Sequence, residues 1–390
     1  MKDEKRKSNF PFGLMGAKSY IHREPLGVVG MISPWNFPMY LSLAPLAGIF
    51  SAGNQVMHKP SEFTPITSEL LKEICDSAFD ETEFATFLGG PEVGAAFTQL
   101  KFDHLLFTGS GNIGKHVMRA ASENLVPLTL ELGGKSPVIV SDSSNIDITA
   151  RRVMFNKTLN AGQICLAPDY VYVHETEKDN FVEACKIQVN EFYSDLKYNS
   201  DYTSVINQKH YDRLNGLLSD AKDHGAELVE INPANEDFSQ QESHKIPPTL
   251  VLNPTDEMQI MKEEIFGPLL PIKTYKDINE PINYINKNDK PLGLYYFGNN
   301  KNEEAKVVNS TTSGGVTVND IMGHIQQNEL GFGGVGPSGM GKYDGFDGFM
   351  NFSNNKPIYK QIGFGLDKLL DAIRPPYKGN IEDVLKKLLK

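Results

Sequence analysis

Cysteine is scarce in this 390-residue sequence, which contains only Cys75, Cys165 and Cys185. Three widely spaced thiols cannot form the disulfide framework of a small secreted domain, so a reducing compartment is expected. None lies close enough to another to act as a metal-binding pair, and no His-Glu-x-x-His run occurs. The sequence therefore predicts no metal site.

Long apolar runs and clusters of positive charge are also missing. The longest apolar stretch, Tyr40 to Ala52, is shorter than the ~20 residues that span a bilayer, and it contains Pro45 and Gly48. The charged start, Met1 to Lys7, is not followed by the apolar core of a signal peptide. The net charge of −11, without a long Lys/Arg run, argues against binding to nucleic acid or an anionic membrane. A cytoplasmic protein is expected.

What the sequence does contain is an alternation of short apolar runs with segments of helical spacing. A chain of this length can form two α/β domains, and this alternation predicts parallel sheets covered on both faces. The expected strands are Leu26–Ile32, Asn54–His58, His104–Phe107, Val126–Leu132, Tyr170–Val173 and Ser313–Asn319. The expected helices are Ser68–Phe79, Ile113–Ala121, Ile148–Leu159, Asp179–Tyr193, Leu366–Ile373 and Ile381–Leu389. Residues Asn232–His244 are expected to be a surface insertion, and Gly331–Gly348 a long functional loop.

A proline-flanked motif, Pro34-Trp35-Asn36-Phe37-Pro38, directly follows the first expected strand. Its two prolines would fix a rigid turn around Asn36. A rigid amide donor can form half of an oxyanion hole, the donor set that stabilises a developing negative oxygen. A plain structural turn explains the same pattern.

A glycine-rich turn lies in residues 107–114, where Gly109, Gly111 and Gly114 satisfy G-x-G-x-x-G. It falls between an expected strand and an expected helix, which is the arrangement that places a pyrophosphate on a helix N-terminus. A tight turn without a ligand is the alternative, because the pattern alone is weakly specific.

Glu131 stands at the end of an apolar strand and precedes two glycines. In a dry site such a carboxyl group can have a raised pKa and act as a general base. A solvated charge at a strand end is the alternative.

Cys165 follows Asn160 in the run Asn-Ala-Gly-Gln-Ile-Cys, a loop between an expected helix and an expected strand. Near backbone N–H groups its thiol would be acidic enough to attack a carbonyl carbon, although an inert thiol is equally compatible with the pattern. Cys75 and Cys185 fall on apolar faces of helices and are expected in the core.

Together these runs resemble the aldehyde dehydrogenase superfamily from about Gly13 to Tyr377, and most of all its class 3-type members and coniferyl aldehyde dehydrogenases. This many runs in one order are specific, and they favour the chemical interpretation of each motif. The runs are Pro34–Pro38, Lys59-Pro-Ser-Glu62, Phe107-Thr-Gly-Ser110, Glu131-Leu-Gly-Gly-Lys135, Gly162-Gln-Ile-Cys165-Leu-Ala-Pro-Asp169, Glu263-Glu-Ile-Phe-Gly-Pro268 and Gly333–Gly341.

The resemblance implies a role for each matching residue. Cys165 would be the nucleophile, Glu131 the general base, and Asn36 with the Cys165 backbone N–H the oxyanion hole. Lys59 and Glu62 would hold the adenosine ribose. The other implied cofactor-binding residues are Trp35 and Ser110 at the pyrophosphate, Gly109 and Gly114 in the turn, and Glu264 with Phe266 at the nicotinamide ribose.

The implied fold is α/β and aldehyde dehydrogenase-like, with a Rossmann-like cofactor domain, an α/β catalytic domain and a bridging arm that forms homodimers. Residues 1–25 are expected to form an N-terminal arm or hairpin. Residues 26–133 would be the NAD(P)-binding domain, truncated at its N-terminus, and 134–332 the catalytic domain. Residues 333–390 would be the C-terminal loop, arm and tail.

The sequence departs from the family in two places. The family has Ser-Thr where this chain has Ser110-Gly111, so Gly111 is a weaker cofactor residue than Gly109 or Gly114. The family also has a helical segment ahead of the point where this sequence begins, and Met1 to Phe10 cannot replace it. We expect its absence to expose apolar surface on the cofactor domain, and an upstream-extended chain to be more soluble and to bind NAD more tightly.

The sequence thus predicts oxidation of an aldehyde to a carboxylic acid with NAD(P)⁺ through a thioester on Cys165. The alternatives are a truncated, non-catalytic relative that acts as a binding or vestigial protein, and an acylating relative that uses coenzyme A, against which Glu131 argues. Glu62 should repel a 2′-phosphate, so NAD is expected and NADP is possible. The resemblance suggests aromatic or medium-chain aldehydes, and Phe37 and Tyr40 fit either an aromatic-lined pocket or the core.

Overall fold

The computed structural model describes residues 3–10, 12–361, 375 and 381–388, which fall into two compact units, one from 1–25 with 353–390 and one from 26–352. Strands β1 to β16 are, in chain order, Glu4–Arg6, Lys18–Pro25, Val28–Ile32, Gln55–Lys59, Phe84–Thr86, His104–Gly109, Leu128–Leu132, Pro137–Val140, Tyr170–His174, Glu227–Glu230, Thr249–Leu252, Leu269–Tyr275, Gly293–Phe297, Gly315–Val318, Gly339–Met340 and Ser353–Lys360. Helices α1 to α12 are Pro38–Ser51, Pro65–Ala78, Pro91–Phe97, Gly111–Ser122, Ile146–Thr158, Lys178–Phe192, Gln208–Asp223, Gln259–Lys262, Asn279–Lys287, Lys301–Ser310, Gly345–Asn351 and Ile381–Leu388.

The smaller unit contains a three-stranded antiparallel sheet in the order β1-β2-β16. β2 and β16 pair along their full length, from Lys18 opposite Lys360 to Pro25 opposite Ser353. Two strands therefore precede Val28–Ile32, and the prediction that the first strand begins near Leu26 was wrong. The assignment of this sheet to a dimer-forming arm stays a prediction.

The larger unit contains a six-stranded sheet in the order β15-β7-β6-β3-β4-β5. β3 to β7 are parallel, and β15 pairs antiparallel with β7 at one edge. The central strands β3 and β6 are apolar runs because both faces of a parallel sheet are covered. Buried side chains such as Val29, Met31 and Leu105 form the core around them.

The same unit contains a seven-stranded sheet in the order β10-β11-β12-β9-β8-β13-β14. Its neighbouring strands are parallel, except that β10 pairs antiparallel with β11. Every side chain of β8, β11 and β13 is buried, as a doubly covered sheet requires. The division of this unit into a cofactor domain and a catalytic domain near residue 133 stays a prediction.

Helix α2 packs one side against the core and leaves another in solvent. Leu71 and Cys75 are buried, whereas Ile66 and Leu70 are 82% and 48% exposed. Cys185 of α6 is also fully buried, so the prediction that Cys75 and Cys185 are core residues is confirmed. Within the described ranges, no helix combines the length and apolar character needed to cross a membrane.

Several predicted boundaries differ from the structure by one to three residues, and one predicted loop was wrong. The helix expected from Ser68 begins three residues earlier at Pro65, because proline is well tolerated in the first turn of a helix. The segment Gly331–Gly348 is not a loop throughout, since it contains β15 and the start of α11. Strand β15 was not predicted because this segment is rich in glycine. Its Gly339 pairs with Glu131 of β7.

Several helices were not predicted. Helix α1 is apolar around its whole circumference, so its sequence shows no helical period. Helices α7 and α10 are polar, but Asn207 and Asn300 accept hydrogen bonds at their N-termini, and these caps were available as signals. The helix expected at Ile381–Leu389 is confirmed as α12, and the one expected at Leu366–Ile373 lies outside the described residues.

Candidate active site

Sequence motifs meet at one edge of the six-stranded sheet. β3 leads into Pro34–Pro38, β4 ends at Lys59, β6 ends at Gly109, and β7 ends at Leu132 just before Gly133. These strands are parallel neighbours, so their carboxyl ends lie along the same edge. Ligands of open α/β sheets bind outside this edge, and the topology therefore places the motifs where a cofactor would bind.

Asn36 connects the six-stranded sheet to the loop of Cys165. Its side-chain Nδ2 donates a hydrogen bond to the backbone oxygen of Gln163 at 3.1 Å, and Asn36 is buried. Gln163 lies two residues before Cys165, in the segment that leads to β9 of the seven-stranded sheet. Phe37 has a left-handed φ of 49°, and α1 starts at the next residue. The structure thus brings the predicted oxyanion amide and the predicted nucleophile together.

Two buried side chains hold the backbone that follows Cys165. The Lys157 ammonium donates to the backbone oxygen of Pro168 at 2.8 Å, and the Tyr295 hydroxyl donates to the backbone oxygen of Leu166 at 2.7 Å. Both side chains are almost completely excluded from solvent. The sequence analysis missed these side chains because neither belongs to the motif of Cys165, since Lys157 lies in α5 and Tyr295 in β13.

The backbone that precedes Cys165 is strained. Asn160 and Ala161 have φ values of 50° and 51°, a conformation that is costly for residues other than glycine. The Gln163 side-chain amide donates to the Asn160 backbone oxygen at 2.9 Å and stabilises this turn. The position of Cys165 is therefore set by tertiary contacts rather than by local preference.

The Cys165 thiol is held in its neutral form. Burial raises the pKa of Cys165, and the carboxyl groups of Glu264 and Glu131 raise it further, whereas the backbone N–H groups of Cys165 and Leu166 lower it. The prediction of an acidic thiol was wrong, because burial and two carboxyl groups outweigh the N–H donors. If Cys165 acts as a nucleophile, a nearby base would therefore have to accept its proton.

Glu131 is a buried carboxyl group, and neither of its oxygens has a hydrogen-bond partner among the residues described. Burial raises the pKa of Glu131 well above its ordinary value, and the negative charge of Asp344 raises it further. The alternative of a solvated strand-end charge was therefore wrong. A carboxyl group whose pKa is raised is a stronger base once it ionises, which suits a general base.

Glu264 packs its carboxyl group directly against Gly133. A Cβ at position 133 would overlap the carboxyl oxygens, so glycine is required for this approach. Burial raises the pKa of Glu264 to about 8, Asp169 raises it as well, and the backbone N–H of Gly134 lowers it. Within the described part of the chain, Oε1 of Glu264 has no hydrogen-bond partner. A buried, unpaired carboxyl oxygen beside a glycine turn fits a ligand hydroxyl such as that of a ribose.

Lys59 and Glu62 lie at the end of β4 and in the turn that follows it. The Lys59 ammonium is buried, lies 3.2 Å from Oε2 of Glu62 and donates to the backbone oxygen of Pro60 at 2.8 Å. Glu62 is exposed, which leaves its carboxylate accessible to a ligand. The two predicted ribose-binding residues are therefore brought together.

Ser110 is the N-cap of α4, immediately after β6. Its hydroxyl oxygen accepts a hydrogen bond from the Ile113 backbone N–H at 3.4 Å. Gly114 packs closely on Leu132, since a Cβ there would lie 2.9 Å from its side chain, whereas Gly111 faces open space. The strand–turn–helix arrangement presents the N-terminus of α4 at the sheet edge, as an anion-binding turn does.

Trp35 is the only tryptophan in the chain. Its ring packs edge-on against Phe266, with the ring centres 5.4 Å apart, and lies 5.6 Å from His210. Phe266 follows Glu264 by two residues, so this contact links the turn that holds Asn36 to the segment that holds Glu264.

Phe37 and Tyr40 are 37% and 52% exposed. The alternative that they belong to the core was therefore wrong. Both lie at the start of α1, immediately after Asn36, and their rings are available to a ligand.

Tyr343 and Asp344 are site neighbours that the sequence analysis missed. Tyr343 is buried, and its hydroxyl has no hydrogen-bond partner in the described ranges. Burial raises its pKa, and the nearby charges of Glu131, Asp344 and Cys165 raise it further. Both residues follow the glycine-rich run that carried the family resemblance, so no motif singled them out.

The fold and the site define an α/β protein in which a cysteine lies near a sheet edge of the kind that binds cofactors. Residues 1–358 match the sequence model of the aldehyde dehydrogenase family, and this chain belongs to that family. A probable coniferyl aldehyde dehydrogenase from Caulobacter vibrioides is 55% identical over 386 residues, which cover 99% of this chain and 79% of that protein. A coniferyl aldehyde dehydrogenase from a Pseudomonas species is 52% identical over 389 residues, covering 100% of this chain and 80% of that protein.

A solved structure described as the substrate-bound state of Staphylococcus aureus AldH is also similar. It has a TM-score of 0.90 and 39% sequence identity, with coverage of 100% of this chain and 82% of that chain. The predicted aldehyde dehydrogenase-like fold is confirmed, and the family assignment supports aldehyde oxidation as the activity. These matches give no support to the non-catalytic alternative.

Proposed function

We propose that Cys165 attacks the carbonyl carbon of an aldehyde, that Asn36 stabilises the oxyanion, and that Glu131 activates the water that hydrolyses the thioester. The observation that carries this proposal is the hydrogen bond from Asn36 to the loop of Cys165. This bond brings the Asn36 amide close to the loop that contains the Cys165 thiol. The carboxyl group of Glu131, which is buried and has no hydrogen-bond partner among the described residues, raises the pKa of that thiol.

The residues divide the chemical work as follows. The Cys165 sulfur bonds the carbonyl carbon while its proton moves to an ionised carboxylate, for which Glu131 and Glu264 are the nearby candidates. The electron pair of the C=O bond moves to oxygen, where the Asn36 amide donates a hydrogen bond. Bound NAD(P)⁺ would supply the acceptor for the hydride, and the oxidised product would remain as a thioester on Cys165. Ionised Glu131, after releasing to solvent any proton accepted from Cys165, then takes a proton from water as the water attacks the thioester. That proton passes to the departing Cys165 sulfur as the carboxylic acid leaves.

The residues present fit a dinucleotide cofactor, and the family uses NAD(P)⁺. Lys59 and Glu62 would hold the adenosine ribose, and Ser110 would approach the pyrophosphate at the N-terminus of α4. The unpaired Oε1 of Glu264 would accept a hydrogen bond from the nicotinamide ribose. We favour NAD over NADP because the exposed carboxylate of Glu62 would repel a 2′-phosphate.

An aromatic aldehyde of the coniferyl type is the substrate that we favour, with medium-chain aldehydes as the second class. The names of the two similar dehydrogenases support this choice. The exposed rings of Phe37 and Tyr40 beside Asn36 add physical support, because aromatic rings stack favourably on one another.

We further propose that the protein is a homodimer in a reducing compartment. The three-stranded sheet of the smaller unit is the element that would bridge two copies, and the three cysteines are unpaired thiols. Light scattering of the purified protein would decide the assembly, since a monomer mass would exclude the dimer.

The test of the proposed activity is NADH formation with a panel of aldehydes, with and without coenzyme A. The panel would contain coniferyl aldehyde, benzaldehyde, hexanal and acetaldehyde. We expect turnover without coenzyme A and a preference for the first three. Turnover only in the presence of coenzyme A would favour the acylating alternative, and no turnover with any aldehyde would contradict the proposal.

A further inference from the structure

Lys135 forms an ion pair with Asp169 and is hydrogen-bonded to the backbone on the N-terminal side of Glu264. The Lys135 ammonium contacts the Asp169 carboxylate and donates to the backbone oxygens of Ile260 at 2.8 Å and Glu263 at 2.9 Å. A lysine ammonium has three donor hydrogens, so these contacts satisfy all of them. The backbone immediately before Glu264 is therefore fixed to the ion pair.

Asp169 of the same ion pair is hydrogen-bonded to the backbone on the C-terminal side of Glu264. Oδ2 of Asp169 accepts a hydrogen bond from the Ile265 backbone N–H at 2.9 Å, while Oδ1 faces Lys135. Asp169 is buried, so this charge-assisted contact is poorly screened by solvent. Both peptide neighbours of Glu264 are thus bound by one pair of side chains.

The ion pair also connects the other parts of the site. Lys135 follows Gly133 and Gly134, the turn against which the Glu264 carboxyl group packs. Asp169 lies four residues after Cys165, and its backbone N–H donates to the Ser136 backbone oxygen at 2.9 Å. The pair therefore joins the end of β7, the segment after Cys165 and the segment of Glu264.

We propose that Lys135 and Asp169 are positioning residues that fix the Glu264 carboxyl group, and through it the nicotinamide-ribose end of the cofactor, relative to Cys165. This inference rests on the proposed cofactor role of Glu264. Neither residue touches the reacting atoms, and both act through Glu264. A buried ion pair is often no more stabilising than an apolar pair of similar size, so its retention here is better explained by orientation than by stability alone.

The test uses the full chain and two independent variants, Asp169→Asn and Lys135→Gln. Each variant keeps the approximate side-chain shape and removes one charge. Because Trp35 is the only tryptophan and packs on Phe266, its fluorescence reports the Glu264 segment and allows NAD binding to be titrated without turnover. We expect the Kd for NAD to rise about tenfold in both variants, which corresponds to the loss of one hydrogen bond to a charged group.

Combining Asp169→Asn with Glu264→Gln distinguishes positioning of Glu264 from a merely structural role of the ion pair. If the pair acts through Glu264, Glu264→Gln should itself weaken NAD binding, and adding Asp169→Asn should weaken it little further. If the pair only supports folding, the melting temperature should fall while the Kd for NAD stays the same, or the two substitutions should act additively. Either of those results would overturn the proposal.

A matched control is Asp256→Asn, which removes one charge from the Lys273–Asp256 ion pair of 2.5 Å elsewhere in the same unit. We expect it to leave the Kd for NAD unchanged. The binding titration also separates this inference from the proposed activity. A wild-type chain that binds NAD but oxidises no aldehyde would contradict the activity, while the variant titrations would still decide whether the pair positions Glu264.

Discussion

The candidate site has a nucleotide end, around Lys59, Glu62 and Ser110, and a chemical end, around Glu131 and Cys165. The two ends differ in how their polar side chains are paired. At the nucleotide end, polar groups are paired over short sequence distances, as Lys59 is with Glu62 at 3.2 Å and Ser110 is with the start of its own helix at 3.4 Å. At the chemical end, Glu131 is buried without a hydrogen-bond partner in the described part of the chain. The backbone that follows Cys165 is held by the side chains of Lys157 in α5 and Tyr295 in β13.

The difference reflects what each end has to do. A cofactor-binding end needs a preformed shape, which paired groups maintain. A chemical end needs groups whose protonation can change, and these groups must be left unpaired until substrate and water arrive. Unpaired buried carboxyl oxygens cost stability, so they are expected where a ligand or the reaction uses them, as proposed for Glu264 and Glu131. Substitutions at the two ends should therefore separate binding from chemistry.

The largest effect is expected for Cys165→Ala. This change should abolish aldehyde-dependent NADH formation, because it removes the nucleophile, while leaving NAD binding nearly unchanged at the nucleotide end. Absorbance of NADH and quenching of Trp35 fluorescence measure the two properties. The matched controls are Cys75→Ala and Cys185→Ala, two core positions. They should cost about 1 kcal/mol of stability without stopping turnover. Substantial oxidation by the Cys165 variant would contradict the assignment of the nucleophile.

The next largest effect is expected for Glu131→Gln. If Glu131 activates water, the variant should release one burst of NADH and then stall, with steady-state turnover lower by about 10²–10⁴-fold. Stopped-flow absorbance would resolve the burst. Normal turnover would remove Glu131 from the mechanism, whereas loss of the burst itself would show that Glu131 accepts the Cys165 proton.

Thermal melting provides the control for that variant. The pKa of Glu131 is raised in the folded state, so its contribution to stability is present below its ordinary pKa and is lost as the pH rises through the raised value. Glutamine cannot ionise and has no such loss. The variant should therefore melt no lower than the wild type in alkaline buffer, and a lower melting temperature there would point to a folding defect.

A smaller effect is expected for Asp344→Asn. The negative charge of Asp344 adds to burial in raising the pKa of Glu131, so its removal should lower that pKa. General-base turnover rises as Glu131 ionises, and this rise should move to lower pH in the variant. Steady-state rates measured across the pH range in saturating NAD would show the shift. An unchanged profile, or a shift to higher pH, would mean that Glu131 does not control the step.

The smallest effect is expected at the nucleotide end, for Glu62→Gln. The partly exposed carboxylate should repel a 2′-phosphate weakly, by about 0.2–1 kcal/mol, so relative use of NADP should improve by a few-fold at most. The ratio of kcat/KM for NAD to that for NADP measures the change. If the ratio stays the same, Glu62 does not discriminate between the ribose of NAD and the phosphorylated ribose of NADP.

The candidate nucleotide end could be predicted from the sequence because its contacts are local. Lys59 and Glu62 are three residues apart, and Ser110 directly precedes the helix that it caps. The strand–turn–helix pattern around Gly109 also placed this end at a sheet edge. Cys165 and Glu131 could be predicted as candidate chemical residues for the same reason, since each of their motifs is a short continuous run.

The contacts around the chemical end could not be predicted from short sequence motifs. Tyr295 reaches the backbone of Leu166 across 129 residues, and Tyr343 approaches Glu131 from the far end of the unit. The acidity of Cys165 was predicted wrongly because burial and the carboxyl groups of distant residues decide it. Helix α1 was missed because apolar residues occupy its whole circumference, which removes the helical period from its sequence.

Pairing of β15 with β7 has a consequence for synthesis on the ribosome. Gly339 and Met340 cover the edge of β7 opposite Glu131 and Leu130, but they are translated long after it. Until they emerge, the nascent chain presents an unpaired strand edge that other chains can join. We therefore expect ribosome-bound intermediates that end before Gly339 to aggregate, and release of the completed segment to close the edge and complete the surroundings of Glu131 in one step.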